Sequence, residues 1–147
     1  MGNFVVGSRE TSAPPAAVWA ALADVDGWPR NFAPHLRAAH LDGPLAVGAT
    51  GWVKMTLPLP RSAFTVATVA PGVSWAWRGK LLWLTMDHDH RIEPTASGSR
   101  VTLDASLNGL LAALVRGLGR PIYRRQMDRA LGLLVKTAEQ SGIESTA

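Results

Sequence analysis

The stretch Thr85-Met86-Asp87-His88-Asp89-His90-Arg91-Ile92-Glu93-Pro94 alternates between two chemistries. Met86, His88, His90 and Ile92 share one parity, and Asp87, Asp89, Arg91 and Glu93 share the other. Side chains along a strand point to opposite faces with a period of two. The charged parity therefore reads as a strand face in water, which leaves the other face looking inward. That inward face carries two histidines between a methionine and an isoleucine. Unpaired polar groups are costly in an apolar interior, so two inward imidazoles require hydrogen-bond partners, water or a ligand. The chain reads as a shell around a pocket that these histidines line.

Working outward, Thr95-Ala96-Ser97-Gly98-Ser99 is a turn, and 100–107 alternates again, with Val101, Leu103, Ala105 and Leu107 on one side. Upstream, strand-like stretches at 36–41, 50–57, 62–69 and 73–79 are separated by Asp42-Gly43-Pro44, Pro58-Leu59-Pro60 and Pro71-Gly72. Residues 4–12 form a further strand, stopped by Ala13-Pro14-Pro15. Short strands joined by tight turns predict an antiparallel meander. In 73–79, Trp75 and Trp77 share the inward, concave face, opposite Arg78. Lys54 turns Val53 and Met55 inward and leaves Trp52 outward or at an edge.

Two segments follow a helical period instead. In 16–24, Val18, Trp19, Leu22 and then Val25 recur at helical spacing, and Asp26-Gly27-Trp28-Pro29 breaks the pattern, with one more short turn at 30–32. Beyond Asn108-Gly109, Leu110, Leu114, Leu118 and Ile122, then Met127, Leu131, Leu134 and Ala138, predict one helix of about thirty residues with a single apolar stripe. Pro121 is expected to kink it, Ser141-Gly142 to stop it, and the tail after about 141 to fray. The only surface large enough to bury such a stripe is the concave face of the sheet. The expected architecture is α+β: a curved antiparallel sheet of about seven strands that grips a long C-terminal helix, with a ligand cavity between them.

Composition sets bounds on function. The 147 residues are expected to form one domain, 1–147, and 47% hydrophobic against 18% charged content places the chain among globular proteins. No run of about 18 apolar residues predicts a membrane span, and the first residues lack a secretory pattern, so a cytoplasmic location is the default. The absence of cysteine removes disulfides, thiolate catalysis and cysteine-ligated metals. The net charge of +4 lies largely between Arg116 and Arg129, with no nucleic-acid motif beside it. Arg116, Arg120 and Arg124 read as the solvated outer stripe of the long helix, so no nucleic-acid partner is expected. No phosphate-binding loop, dinucleotide fingerprint or nucleophile elbow is present, and no cofactor is expected. The oligomeric state is left open, a homodimer included.

Several segments carry a family resemblance. Ala17-Val18-Trp19-Ala20-Ala21-Leu22-Ala23-Asp24 with Gly27-Trp28-Pro29, the loop Gly43-Pro44-Leu45-Ala46-Val47-Gly48, and the paired segments His88 through Pro94 and Gly98-Ser99-Arg100-Val101-Thr102 carry it. Over nearly the whole chain the sequence resembles the helix-grip superfamily of START domains, birch-allergen-like proteins and polyketide cyclases/dehydrases. The resemblance implies the fold and a hydrophobic ligand. It does not separate cyclases and dehydratases from carriers, because function resides in the site. At the position of His90 the family pattern has a bulky apolar residue, so the second histidine is the departure from it.

For cyclisation or dehydration of a poly-β-ketone, a base must take an acidic α-proton and an acid must hold an enolate oxygen or protonate a departing hydroxyl. Histidine suits either role, with an unperturbed pKa of about 6.5 and two nitrogens. His88 and His90, about 7 Å apart along a strand, are the catalytic candidates, weighed against two passive imidazoles satisfied by water or backbone. Expected ligand-binding walls are Trp75, Trp77, Met86, Tyr123, Met127, Val53 and Met55, with the Tyr123 hydroxyl able to bond a ligand carbonyl or to serve as a helix-to-sheet contact. His35 follows Pro34 in a loop that can rim the entrance, and His40 has no assigned place. Nothing in the spacing fixes a third metal ligand beside His88 and His90, so no metal is expected. The expected partner is a hydrophobic, aromatic or polyketide-like small molecule, with a non-catalytic carrier of a lipid or quinone as the alternative.

Overall fold

A computed structural model describes residues 3–146, with side chains over 4–141. Its elements run β1 (Asn3–Thr11), α1 (Pro15–Ala23), a 3-10 turn (Val25–Gly27), α2 (Trp28–Asn31), β2 (Leu36–Leu41), β3 (Thr50–Met55), β4 (Ser62–Ala70), β5 (Ser74–Leu81), β6 (Leu84–Thr95), β7 (Gly98–Gly109) and α3 (Ala112–Thr146). The strands form one antiparallel sheet in the order β1-β7-β6-β5-β4-β3-β2. Consecutive strands from β2 to β7 pair in turn, which leaves β2 at one edge, and β1 adds onto β7 at the other. Register irregularities in β1, β2 and β4 add local bends to a sheet that already twists. The curled sheet and long helix are the expected helix-grip arrangement.

The alternating stretch lies in β6 as its pattern requires. Ile92 and His90 are buried, and the outer residues form ion pairs, Arg78 with Asp87 at 2.7 Å and Arg91 with Asp89 at 2.9 Å. Val18 and Leu22, one helical turn apart on α1, are fully buried, and α1 packs on α3 and the β6–β7 pair. The helix α3 lies against β1 and β7. It comes very close at Gly7, where an added Cβ would stand 2.9 Å from both Leu131 Cδ1 and Met127 Sδ. Hydrogen bonds fasten the seam: Thr11 Oγ1 donates to Glu139 Oε1 (2.8 Å) and Thr137 Oγ1 to the Asn31 carbonyl (2.7 Å).

The structure corrects four expectations. The break after α1 is present, but the short turn expected at 30–32 begins earlier, at Trp28-Pro29, because a proline in a first turn forfeits no helical hydrogen bond. Leu111 adopts a positive φ of 62° after Gly109 at 116°, so α3 starts at Ala112 rather than at Leu110. Its backbone then stays helical through Ser141-Gly142 to Thr146; one interior glycine costs only about 1 kcal/mol. The fourth correction concerns the apolar stripe. Met127, Leu131, Leu134 and Ala138 are buried, but Leu110, Leu114, Leu118 and Ile122 are exposed.

The five-residue step from Ile122 to Met127 explains the split, because it rotates the helix face by about 140° at 3.6 residues per turn. The true inward line through the first half of α3 is Ala112, Val115, Gly119 and Tyr123. Two of the three arginines expected in the outer stripe also point back to the sheet. Arg116 donates to the Leu107 carbonyl and Arg120 to the Phe4 carbonyl. Leu134→Ala should therefore cost about 2–5 kcal/mol of stability, whereas Leu118→Ala, at 73% exposure, should stay within about 0.5 kcal/mol. Urea denaturation of the two variants checks this, and equal losses would restore the single stripe.

Candidate functional site

Between the sheet and the middle of α3 lies a cavity enclosing about 100 Å³, lined mainly by apolar side chains. Its aromatic wall begins on β5. Trp77 lies flat against His88, with centroids 4.3 Å apart and planes 10° from parallel. Gly79, the next inward position on β5, makes room for that indole, since a Cβ there would stand 2.7 Å from Trp77 Cζ3. Val53 and Met55 from β3, Met86, His88 and His90 from β6, and Tyr123 and Met127 from α3 complete the walls expected from sequence.

Trp75 does not reach the cavity. It is fully buried, stacked on His90 at 4.7 Å and on Trp28 at 5.7 Å. The expected place of Trp75 in the wall is taken by Trp28, the residue whose segment reads in sequence as a helix break.

The polar groups are arranged in pairs. Tyr123 Oη lies 3.1 Å from His88 Nε2. His90 Nδ1 donates to the Trp75 carbonyl at 3.0 Å, which sets its tautomer and leaves Nε2 bare as an acceptor. Burial pushes the His88 imidazole down to about 3, aided by His90 and then His35. Burial also lowers His90, to about 4, against the opposing pull of the Trp75 carbonyl and Asp89. The Tyr123 hydroxyl is raised by burial. Near neutral pH the site thus presents two uncharged imidazoles and a protonated phenol.

His35 belongs to the same constellation. Its ring lines the cavity, burial lowers its pKa, and its Nδ1 is buried without a hydrogen-bond partner. The indole N–H of Trp77 is likewise buried and unpartnered. Such orphans are rare in folded proteins and mark places where a further polar group is accommodated. Beside the cavity, a recess lined by Pro34, His35, Thr56, Gln126 and Arg129 shares His35 and Gln126 with it and forms a polar vestibule. His40 lies outside, 2.9 Å from Asp26 and 3.1 Å from Asp42. Among the described residues no three His, Asp or Glu side chains are grouped to hold a metal ion.

Phe32, Leu36, Ser62, Leu103 and Gln126 also line the cavity, though none of them is among the walls expected from sequence. Leu103 was available from the alternation of 100–107, and it pairs with His90 across the β6–β7 ladder. Gln126 was available one helical turn beyond Tyr123. Phe32 and Leu36 flank a proline loop and carried no periodic signal.

Residues 5–139 match the family described as polyketide cyclase / dehydrase and lipid transport, and the chain belongs to that family. Solved structures share the fold at low identity. The di-domain ARO/CYC StfQ from the steffimycin biosynthetic pathway aligns with TM-score 0.74 at 14% identity over 97% of this chain. The chain spans about half the length of that protein (51%). The KanY protein aligns at 0.72 with 23% identity, covering 95% of this chain and 99% of its own. A hypothetical protein of Helicobacter pylori aligns at 0.78 with 14% identity, covering 90% and 86%. No curated protein matches the chain significantly.

Both β6 histidines have folded pKa values below the unfolded value of about 6.5, so between these limits the unfolded chain binds more protons. Stability contributed by the neutral rings is complete above about pH 6.5 and is lost as pH falls, toward about 4 for His90 and about 3 for His88, with a slope of at most about 1.4 kcal/mol per pH unit for each ring. Thermal midpoints recorded from pH 7 downward should fall over this window, and His88→Gln should flatten the fall. A variant with an acid limb as steep as the wild type would remove His88 from this account.

Proposed function

We propose that the cavity binds a compact apolar ligand with an aromatic ring and at least one oxygen function, and promotes cyclisation or dehydration of a β-keto or β-hydroxy carbonyl compound. The observation that carries this reading is the Tyr123–His88 pair at 3.1 Å in an otherwise apolar cavity. The membership of the chain in a polyketide cyclase / dehydrase and lipid transport family supports it. So does the likeness in fold to StfQ, described as an ARO/CYC of a biosynthetic pathway. Around 100 Å³ suits a single ring, comparable with the roughly 150 Å³ apolar cavity that admits benzene. A larger ligand requires Met55, Met86 and Met127 to move, which their unbranched side chains permit.

The chemistry assigned to each group follows from its protonation state. The bare Nε2 of His90 accepts the α-proton as the C–H bond breaks, and the resulting enolate oxygen takes its hydrogen bond from Tyr123 Oη. In cyclisation the enolate carbon attacks a second carbonyl of the same chain. The new alkoxide then takes a proton from the phenol; the His90 imidazolium releases its proton to solvent and the phenolate, held by His88, regains one from solvent, which restores both groups. In dehydration the β-hydroxyl leaves as water with the phenol proton, restored along the same route. The low pKa of free His90 makes it a weak base in the empty site. A developing enolate raises it, because an adjacent negative charge favours the imidazolium.

A second reading is favoured by that same low basicity: a carrier in which the imidazoles and the Trp77 N–H hydrogen-bond a quinone or similar ligand without turning it over. The two readings separate on Tyr123→Phe and His90→Gln. The test is native mass spectrometry with aromatic β-keto thioesters, naphthoquinones and fatty acids, each ligand being re-extracted after incubation. Catalysis predicts a ligand that returns cyclised or one water lighter, with turnover slowed about 100-fold or more in both variants while affinity stays within a few-fold. Ligands that bind one-to-one and return unchanged, with affinity alone altered by the variants, give the carrier.

A further inference from the structure

We propose that the end of the fold formed by the β5–β6 and β7–α3 turns is a docking surface for an anionic lipid bilayer. The two turns are adjacent, because Leu84 pairs with Gly109 and the Trp83 carbonyl stands against Gly109. They place four large apolar side chains together at one tip: Leu82 (57% exposed), Trp83 (54%), Leu110 (70%) and Leu111 (55%). Leu114, Leu118 and Ile122 continue the apolar surface along the outer side of α3, at intervals of one turn. Scattered exposed leucines need no explanation, but a contiguous apolar tip of this kind marks an interaction surface.

Backbone conformation adds an independent observation. Leu82 and Leu111 are the two non-glycine residues with positive φ, at 57° and 62°, among the described residues. Glycine or asparagine adopts this conformation readily, whereas a branched apolar side chain pays in local strain. Both leucines therefore sit in an unfavourable backbone conformation and in water, without core packing in return. A surface that receives their side chains accounts for both costs.

Charge decides which surface. No acidic residue occurs between Asp104 and Asp128 or between Val73 and Asp87. Within these segments Arg116 and Arg120 turn back to backbone carbonyls and Arg78 pairs with Asp87, which leaves Lys80, Arg124 and Arg125. None of these last three cations takes part in an ion pair among the described residues. A second copy docked symmetrically through this patch would bring the same cations against their own kind. Protruding leucines and a tryptophan bordered by unpaired cations suit instead the boundary between anionic headgroups and acyl chains. Such docking is peripheral: it uses turns and one helix face, and among the described residues no helix is long and apolar enough to cross a membrane.

The test is flotation of the full chain with vesicles of phosphatidylcholine alone or phosphatidylcholine mixed with phosphatidylserine, at low and high salt. The wild type should float with the anionic vesicles only, and added salt should release it. The double variant Leu82→Asn/Leu111→Asn should bind at least about tenfold more weakly and yet melt at a higher temperature, since it relieves the backbone strain. Trp83→Ser, at a position without that strain, should weaken binding with little change in melting. Arg124→Gln/Arg125→Gln should erase the preference for anionic lipid. Failure of the wild type to float, or undiminished flotation of both tip variants, overturns the proposal. Light scattering that shows a dimer dissolved by the same tip variants would assign the patch to a second copy. Retention on immobilised polyglutamate without flotation would assign it to an acidic protein. Either result overturns it as well.

Discussion

The arrangement depends on how closely one helix can lie against one strand. Gly7 lets Met127 and Leu131 reach the β1 backbone, and from that contact toward the C-terminus Leu134 and Ala138 are fully buried. Toward the N-terminus the inward line of α3 narrows to Gly119 and Ala112, and aromatic side chains take up the space, with Tyr123 against Phe4 at 4.9 Å. The helix therefore seals the sheet at one end and stands over a cavity at its middle. Close packing and empty space are two consequences of one inclined contact, since interiors tolerate a void only where side chains cannot close it.

The cavity inherits its character from β6, whose two faces hold opposite electrostatic environments a few ångströms apart. Outside, aspartates and arginines neutralise one another in solvent, where such pairs contribute little to stability. Inside, the same strand holds two imidazoles that burial keeps uncharged, stacked on two tryptophans of the neighbouring strand. The stacking explains how a polar ring is accommodated there, because an imidazole face packs like an aromatic one while its edge keeps a hydrogen bond. His90 illustrates the arrangement, with Trp75 supplying both the stacked ring and the carbonyl acceptor.

Much of this was legible in the sequence because strands report their faces by parity. The inward set of β6 and β7 and the inward Trp77 follow from alternation alone, and so does the meander, from turn residues at regular intervals. Helix phase was less legible. Leucine at 110, 114 and 118 and isoleucine at 122 mimic a buried stripe in composition, and only the surroundings reveal that alanine and glycine face the sheet there. His35 and Trp28 lie in a segment with no period, where residue type says nothing of direction and tertiary contacts decide it. Trp75 shows the limit of parity: it names the correct face but not the depth, and a shared face contains both core and cavity wall.

The strand order has a kinetic consequence. Six of the seven strands can pair as soon as each hairpin closes, over loops of a few residues, and such local contacts form early. The β1–β7 ladder instead joins Val5 to Ala105 and Thr11 to Ser99 across most of the chain, at a high entropic cost of closure. During synthesis β1 emerges first and must wait, unpaired, until its partner is made. Its outward face carries Val6, Ser8 and Glu10, and Arg9 stands on the opposite face over Gly132 of α3, a pattern too polar to attract another strand edge strongly in the interval.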